Sequence, residues 1–157
     1  HIPLRRQRQM CIRDRGIVRP HIAAFGAKDL QQVLVIKKMV RDLSINTEIE
    51  VVPTVRESDG LAMSSRNGYL SHDERALAPL FSRTLEETAK RVAESGSDIK
   101  TVIAEGEAIL TEAGFVVDYL EARHTYDLSE ASSLNQETAL FGAAFLGTTR
   151  LIDNRIV

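Results

Sequence analysis

A strand–helix–strand pattern over residues 22–52 constrains the fold of this chain more than any other feature of its sequence. The apolar run IAAF, closed by Gly26, is typical of a buried strand in a parallel sheet. The segment KDLQQVLVIKKMVRDL then places apolar residues at helical spacing and leaves its basic residues for solvent. A second, β-branched run, TEIEVV, stops at Pro53. The sequence therefore predicts a β-α-β unit with two parallel strands.

Polar residues follow both predicted strands, at the edge where parallel sheets bind ligands. The first strand is followed by Gly26, Ala27, Lys28 and Asp29, and the second by Val55 and Arg56. We expect the two loops to face one site. The first loop also leads into a helix, whose free N–H groups and dipole favour an anion, and Lys28 adds a positive charge. The alternative is an ordinary helix cap at Asp29 beside a solvated Lys28.

The segment GLAMSSRN, residues 60–67, is a second candidate for phosphate binding. It holds two adjacent serines and an arginine among residues with little helix preference, so that several donors can converge on phosphate oxygens. Gly60 and Gly68 relax the backbone on either side, which would allow the loop to close over a ligand. The alternative is a flexible linker between two domains.

The remaining chain predicts a scaffold of two helices against a small antiparallel sheet. Ser71 and Glu74 have the spacing of a capping box for a helix over about residues 72–95, which Pro79 would kink or delay. The further signals are a stop at Gly96, a cap at Asp98 for a second helix, a stop at Gly114, and strands in FVVDYLEAR and TALFGAAFLGTTRLIDN. The acids Asp118, Glu121, Asp127 and Asp153 lack metal-ligand spacing, and we interpret them as solvated or paired.

Residues 1–20 carry six arginines against one aspartate. Such a basic arm could bind nucleic acid through its phosphates. The segment has no aromatic residue, lysine or periodicity, so we interpret it as a disordered or non-native leader and expect no nucleic-acid partner. A single cysteine and the lack of an apolar run of about 20 residues predict a cytoplasmic protein without a membrane partner.

Three segments together resemble the pantothenate synthetase, or pantoate–β-alanine ligase, family: FGAKDLQQVLVIKKMVRDL, VVPTVRESDGLAMSSRNGYLS and GTTRLIDN. The resemblance runs from about Ile22 to the end and covers roughly the second half of the family's usual chain. It implies the end of a Rossmann-like nucleotidyltransferase domain over residues 21–62 and a small α+β domain over residues 63–157. It also implies ATP and pantoate bound between the two domains, Mg²⁺ as cofactor, β-alanine as second substrate, and a homodimer at full length.

The resemblance assigns roles to individual residues. The nucleotide-binding element falls on Gly26, Ala27, Lys28 and Asp29, with Lys28 neutralising phosphate, Asp29 on the ribose or metal side, and Ala27 in place of a frequent glutamate. Gln32 corresponds to a pantoate-binding glutamine, and Val55 to a position lining the nucleotide pocket. Met63, Ser64, Ser65 and Arg66 correspond to the mobile KMSKS loop of class I aminoacyl-tRNA synthetases, which gives the catalytic set Lys28, Ser64, Ser65 and Arg66.

One family element is missing from the sequence. The family's amino-terminal half carries an H-x-G-H segment whose histidines hold the nucleotide phosphates, and the four histidines here have no such spacing. We therefore expect a truncated chain that is inactive alone. Two alternatives remain open, namely another nucleotidyltransferase-type adenylating enzyme and a non-catalytic binding or assembly module.

Overall fold

The computed structural model describes residues 17–95 and 98–157. The chain divides into two compact units, His1–Pro53 and Thr54–Val157. The predicted leader lies outside the described residues except for residues 17–20, and so does the helix stop predicted at Gly96. None of the helices within the described ranges has the length and apolar character of a transmembrane span.

The first unit is the β-α-β unit that the sequence predicts. Strand β1, Ile22–Gly26, pairs in parallel with β2, Glu48–Val52. The first residues of the two strands, Ile22 and Glu48, lie opposite each other. Helix α1, Leu30–Asp42, lies between them in sequence and follows a 3₁₀ turn, Ala27–Asp29. Val33 and Ile36 are its buried residues.

The strands of this unit are less buried than the sequence predicts. Ile22 in β1 is 56% exposed, and Val52 at the end of β2 is also exposed. The described residues of this unit provide two strands and one helix to cover them. Such an arrangement buries little of the sheet surface. Leu43 is the last of the apolar residues at helical spacing in KDLQQVLVIKKMVRDL, but it lies beyond the end of α1 at Asp42 and is exposed.

The second unit is the predicted α+β arrangement. Its elements in chain order are a 3₁₀ turn Ser65–Tyr69, α2 His72–Leu77, α3 Pro79–Ser95, α4 Ile99–Glu112, β3 Val116–His124, β4 Thr138–Leu146 and β5 Thr149–Ile156. The three strands form an antiparallel sheet in the order β3-β4-β5. Helices α3 and α4 pack against each other and against this sheet.

Local signals determine where the helices begin and end. Ser71 and Glu74 form the predicted capping box of α2. Pro79 starts a new helix two residues after the last residue of α2, because proline lacks the N–H that a continuous helix needs but is tolerated in a first turn. Asp98 caps α4 by accepting from Thr101 N at 3.2 Å, and Gly114, with φ of +93°, terminates it.

The hydrophobic core of the second unit forms between α3 and the sheet. The rings of Phe81 and Phe115 stack with their centroids 6.2 Å apart, and Leu85 is fully buried. Gly142 in β4 allows Leu85 to approach, since a Cβ at this position would lie 2.9 Å from the leucine methyl groups. Close packing of α3 on β4 therefore depends on Gly142.

Residues 54–62, which the sequence analysis assigned to the first domain, lie in the second unit. Leu61 is buried in that unit's core, and Arg56 forms an ion pair with Asp153 of β5. These contacts join the segment to a sheet far from it in sequence. The division of the structure into compact units falls after Pro53. The domain boundary after residue 62 stays a prediction.

Candidate functional site

In the first unit, the candidate nucleotide-binding residues lie on a tight connection from strand to helix. β1 ends at Gly26, and the 3₁₀ turn Ala27–Asp29 leads directly into α1. Asp29 Oδ1 accepts a hydrogen bond from Gln32 N at 3.3 Å, so that Asp29 is the cap considered above. Lys28 and Gln32 are half-buried on the same connection. One short segment thus brings together a lysine, a carboxylate and an amide.

Gly26 is not required by the backbone or by the packing around it. Its φ is −73°, which any residue adopts, and a Cβ at Gly26 would meet no atom within 4 Å. A side chain would instead project into open space above the loop. The glycine keeps this space clear, as a close approach of backbone to ligand requires.

In the second unit, residues 55–63 form a hairpin, called here the 55–63 hairpin. Met63 N donates to Val55 O at 3.0 Å, and Glu57 N donates to Leu61 O at 2.8 Å. Gly60 at the tip has φ of +89°, a conformation that favours glycine. Val55 and Met63, joined at the open end, are 62% and 54% exposed. They form an exposed apolar pair suited to contact a ligand's ring.

The Ser64–Arg66 segment is an ordered turn and not the flexible linker considered as an alternative. Ser64 caps the 3₁₀ turn, and its Oγ accepts from Arg66 N at 3.2 Å. That oxygen can still donate its own proton to a ligand. Ser65 and Arg66 are exposed. Among the residues that the structure describes, no carboxylate pairs with the Arg66 guanidinium, and Gly68 lies inside the turn without a positive φ.

A buried ionic cluster anchors the 55–63 hairpin, and the sequence analysis did not find it. The Arg56 guanidinium donates to both carboxylate oxygens of Asp153, from Nη1 at 2.8 Å and from Nη2 at 3.0 Å. Arg56 Nη1 also donates to Gly60 O and Ser82 Oγ, and Arg155 donates to Asp153 and Ser82. The hairpin is thereby tied to β5 and α3.

A second cluster lies between the hairpin and the 3₁₀ turn. Arg75 of α2 donates to Glu57 Oε2 and Asp59 Oδ2, each at 2.6 Å. Asn67 Nδ2 donates to Glu57 Oε1 at 2.7 Å. Hydrogen bonds from Asn67 and Arg75 hold the pKa of Glu57 below its usual value, and the hydrogen bond from Arg75 does the same for the pKa of Asp59.

The four scattered acids pair as the sequence analysis expected. Asp118 accepts from Arg150, Glu121 from Arg123, Asp127 from Ser129, and Asp153 from Arg56 and Arg155. Across the two described ranges, no three histidine, cysteine or acidic side chains lie close enough together to hold a metal ion by themselves.

Comparison with known proteins places these segments in a family. The sequence model of the pantoate-beta-alanine ligase family matches residues 9–156, and thus begins inside the arginine-rich segment. The pantothenate synthetase of Shewanella sediminis is 53% identical over 139 residues, which are 88% of this chain and 49% of that protein. The pantothenate synthetase of Marinobacter nauticus is 51% identical over the same shares.

Solved structures agree with this match. The crystal structure of pantothenate synthetase from Thermus thermophilus has a TM-score of 0.84 at 40% identity and covers 92% of this chain and 52% of that one. The pantoate–β-alanine ligase of Francisella tularensis, complexed with beta-gamma ATP and β-alanine, has a TM-score of 0.69 at 29% identity over 93% of this chain and 47% of that one. This chain spans about half the length of the relatives that it matches. It belongs to the pantoate–β-alanine ligase family.

Proposed function

We propose that this chain is part of an ATP-dependent ligase that condenses (R)-pantoate with β-alanine. A carboxylate oxygen of pantoate attacks the α-phosphorus of ATP, the bond to the bridging oxygen breaks, and pyrophosphate leaves with formation of pantoyl adenylate. The β-alanine amine then attacks the acyl carbon, AMP leaves and the nitrogen loses a proton. Family membership and the ATP and β-alanine bound to the Francisella tularensis ligase support the proposal.

One observation carries the assignment to phosphate chemistry. Arg66 presents an exposed guanidinium on an ordered turn, and the cap of that turn, Ser64, retains a hydroxyl proton to donate. A planar guanidinium and a hydroxyl group are donors that bind phosphate oxygens well. Because the turn is already ordered, these donors need little rearrangement as negative charge moves to the leaving pyrophosphate.

The strand–helix connection of the first unit supplies a further set of phosphate ligands in this proposal. Lys28 neutralises phosphate charge, and the absence of a side chain at Gly26 lets the nucleotide approach the backbone. Ala27 contributes its backbone, and Ser65 stands beside Arg66 as an additional hydroxyl donor. Val55 and Met63 offer apolar contact to the nucleotide, as their exposure allows.

Mg²⁺ fits the donor set if it enters with ATP. This ion is usually held by one or two carboxylates together with substrate phosphates, and Asp29 provides one carboxylate on the connection, with Oδ1 occupied by the helix cap. When bound, Mg²⁺ would neutralise phosphate charge. We also propose a homodimer for the full-length protein, a cytoplasmic location, and no nucleic-acid partner.

Gln32 is proposed to bind pantoate. Its backbone N–H is engaged by the Asp29 cap, which fixes the residue on the first turn of α1. Its side-chain amide has both donor and acceptor atoms, which suit a substrate that carries hydroxyl groups and a carboxylate. A related nucleotidyltransferase with another acid substrate would use the same phosphate ligands, so that Gln32 is the residue that distinguishes the two functions.

The experiment is pantoate-dependent exchange of labelled pyrophosphate into ATP. The 157-residue chain is compared with a chimera in which residues 17–157 follow the amino-terminal half of the Shewanella sediminis relative. We expect exchange by the chimera and none by the chain alone, since loss of one preorganised donor typically costs about 10²–10³ in rate and the 157-residue sequence has no H-x-G-H segment. A folded chimera without exchange would refute the proposed function, and exchange by the chain alone would refute the need for the other half.

A further inference from the structure

Asn67 occupies a position that the proposed reaction does not yet explain. The residue is 9% exposed, and its Nδ2 donates to Glu57 Oε1 at 2.7 Å and to Ala62 O at 3.2 Å. Both partners are acceptors, so the opposite amide orientation would place an oxygen against two oxygens. The amide orientation is therefore determined by its neighbours.

The other amide atom of Asn67 is buried without a partner. Oδ1 has no hydrogen-bond partner among the described residues. Burial of an unpaired acceptor is unfavourable for folding, and such atoms in native structures call for an explanation. Stability of the fold alone does not account for an unpaired buried oxygen at this position. The explanation must therefore come from the contacts that the other amide atom, Nδ2, makes.

The backbone of Asn67 belongs to the turn that carries the proposed phosphate ligands. Asn67 N donates to Ser64 O at 3.1 Å, while Ser64 Oγ accepts from Arg66 N at 3.2 Å. These bonds close the turn on itself. The Asn67 side chain, through its hydrogen bonds to Glu57 and Ala62, ties this part of the turn to the 55–63 hairpin.

The hairpin side of this connection is itself held in place. Arg75 binds Glu57 through the oxygen that Asn67 does not use, and it also binds Asp59 near the hairpin tip. Arg56 fixes the same hairpin to Asp153. A continuous series of hydrogen bonds thus runs from the folded scaffold through Glu57 and Asn67 to the turn.

We propose that Asn67 is a positioning residue, whose amide holds the Ser64–Arg66 turn against the 55–63 hairpin and so presents Ser64 and Arg66 to the ATP phosphates. This inference rests on the proposed function for its last step. Asn67 acts through the turn and through Glu57, and it needs no contact with substrate. Its loss should reduce use of ATP without a comparable effect on β-alanine.

The test combines kinetics of the chimera with hydrogen exchange of the 157-residue chain. Asn67→Ala is compared with Asn135→Ala, the same change at an exposed asparagine of the second unit. In the chimera, we expect kcat/KM for ATP to fall about 10- to 100-fold for Asn67→Ala, as for misplacement of catalytic groups by about an ångström. The KM for β-alanine should change little, the thermal midpoint should fall because the hydrogen bonds to Glu57 and Ala62 are lost, and Asn135→Ala should match the parent.

A double variant that exchanges the amide and the carboxylate between positions 57 and 67 can restore the hydrogen bond between these two side chains. Asn67→Asp places a carboxylate against both Glu57 and Ala62 O. In Glu57→Gln/Asn67→Asp the new glutamine can accept from Arg75 and donate to the new aspartate, so that only the contact with Ala62 O stays unfavourable. We expect the double variant to exceed Asn67→Asp in kcat/KM for ATP. This interaction between the two changes separates a specific contact from general disruption. A double variant no better than Asn67→Asp would overturn the inference.

Hydrogen exchange separates this inference from the proposed function. In the 157-residue chain, Asn67→Ala should accelerate amide exchange in a peptide spanning residues 64–67 while leaving β4 protected. Unchanged exchange there would overturn the positioning role even if the chimera lacked activity. Accelerated exchange with an inactive parent chimera would support the positioning of the turn and refute the ligase function. Accelerated exchange with unchanged ATP kinetics in an active chimera would overturn the inference.

Discussion

Replacement of Asp153 by asparagine should destabilise the second unit more than any change to its exposed ion pairs. The Asp153 side chain is 1% exposed and accepts two hydrogen bonds from Arg56 and one from Arg155. Asparagine keeps the shape but removes the negative charge, which leaves two guanidinium groups without their shared counter-ion. Removal of one partner of a buried pair costs about 3–5 kcal/mol. We expect about 3 kcal/mol, because Arg56 remains 28% exposed and can be partly hydrated.

Tyrosine fluorescence during urea unfolding measures the loss of stability in the second unit, where Asp153 lies. The chain has three tyrosines and no tryptophan, and Tyr69, Tyr119 and Tyr126 all belong to the second unit. The free energy of unfolding obtained from the transition therefore reports on that unit. The free energies of unfolding of two variants can be compared directly when the slopes of their free energy against urea concentration agree.

Asp118→Asn is the matched control. Asp118 accepts from Arg150 at 2.7 Å, a bond as short as those of Asp153, but its side chain is 43% exposed. An exposed pair contributes about 0–1 kcal/mol. If Asp153→Asn changed the free energy of unfolding by no more than Asp118→Asn, the Arg56–Asp153 contact would not anchor the hairpin as we have argued.

Three further predictions follow from the two units. In the chimera, Lys28→Ala and Arg66→Ala should each weaken ATP binding by about 1–3 kcal/mol, the range for charge-assisted hydrogen bonds, and unchanged calorimetric affinity in both would contradict their assignment. Gln32→Ala should raise the KM for pantoate far more than the KM for ATP, whereas equal effects would indicate a distorted pocket. Hydrogen bonds from Asn67 and Arg75 lower the pKa of Glu57 from its usual 4.5. The ionised Glu57 carboxylate therefore stabilises the folded state above that pH, and this contribution is lost as the pH falls through the lowered pKa. Urea unfolding from about pH 6 to about pH 3 should therefore show a smaller loss of stability for Arg75→Met than for the parent, and parallel pH curves would exclude this origin.

The sequence alone determined those features whose signals lie within a few residues of one another. The β-α-β unit, the capping box at Ser71, the cap at Asp98 and the stop at Gly114 all follow from local hydrogen bonding and side-chain spacing. Three segments together, among them the motif around Met63–Arg66, carried the family resemblance, which the comparisons confirm. The roles of the individual site residues stay predictions.

The tertiary structure decided the features that depend on residues distant in sequence. Arg56 and Asp153 are 97 positions apart, and the charge of either one predicts only a solvated or paired side chain. Only folding shows that they meet, that residues 54–62 therefore belong with the second unit, and that the Ser64–Arg66 segment is an ordered turn held through Asn67. Burial and charge pairing depend on the neighbours that other parts of the chain supply, and a local sequence pattern cannot specify those neighbours.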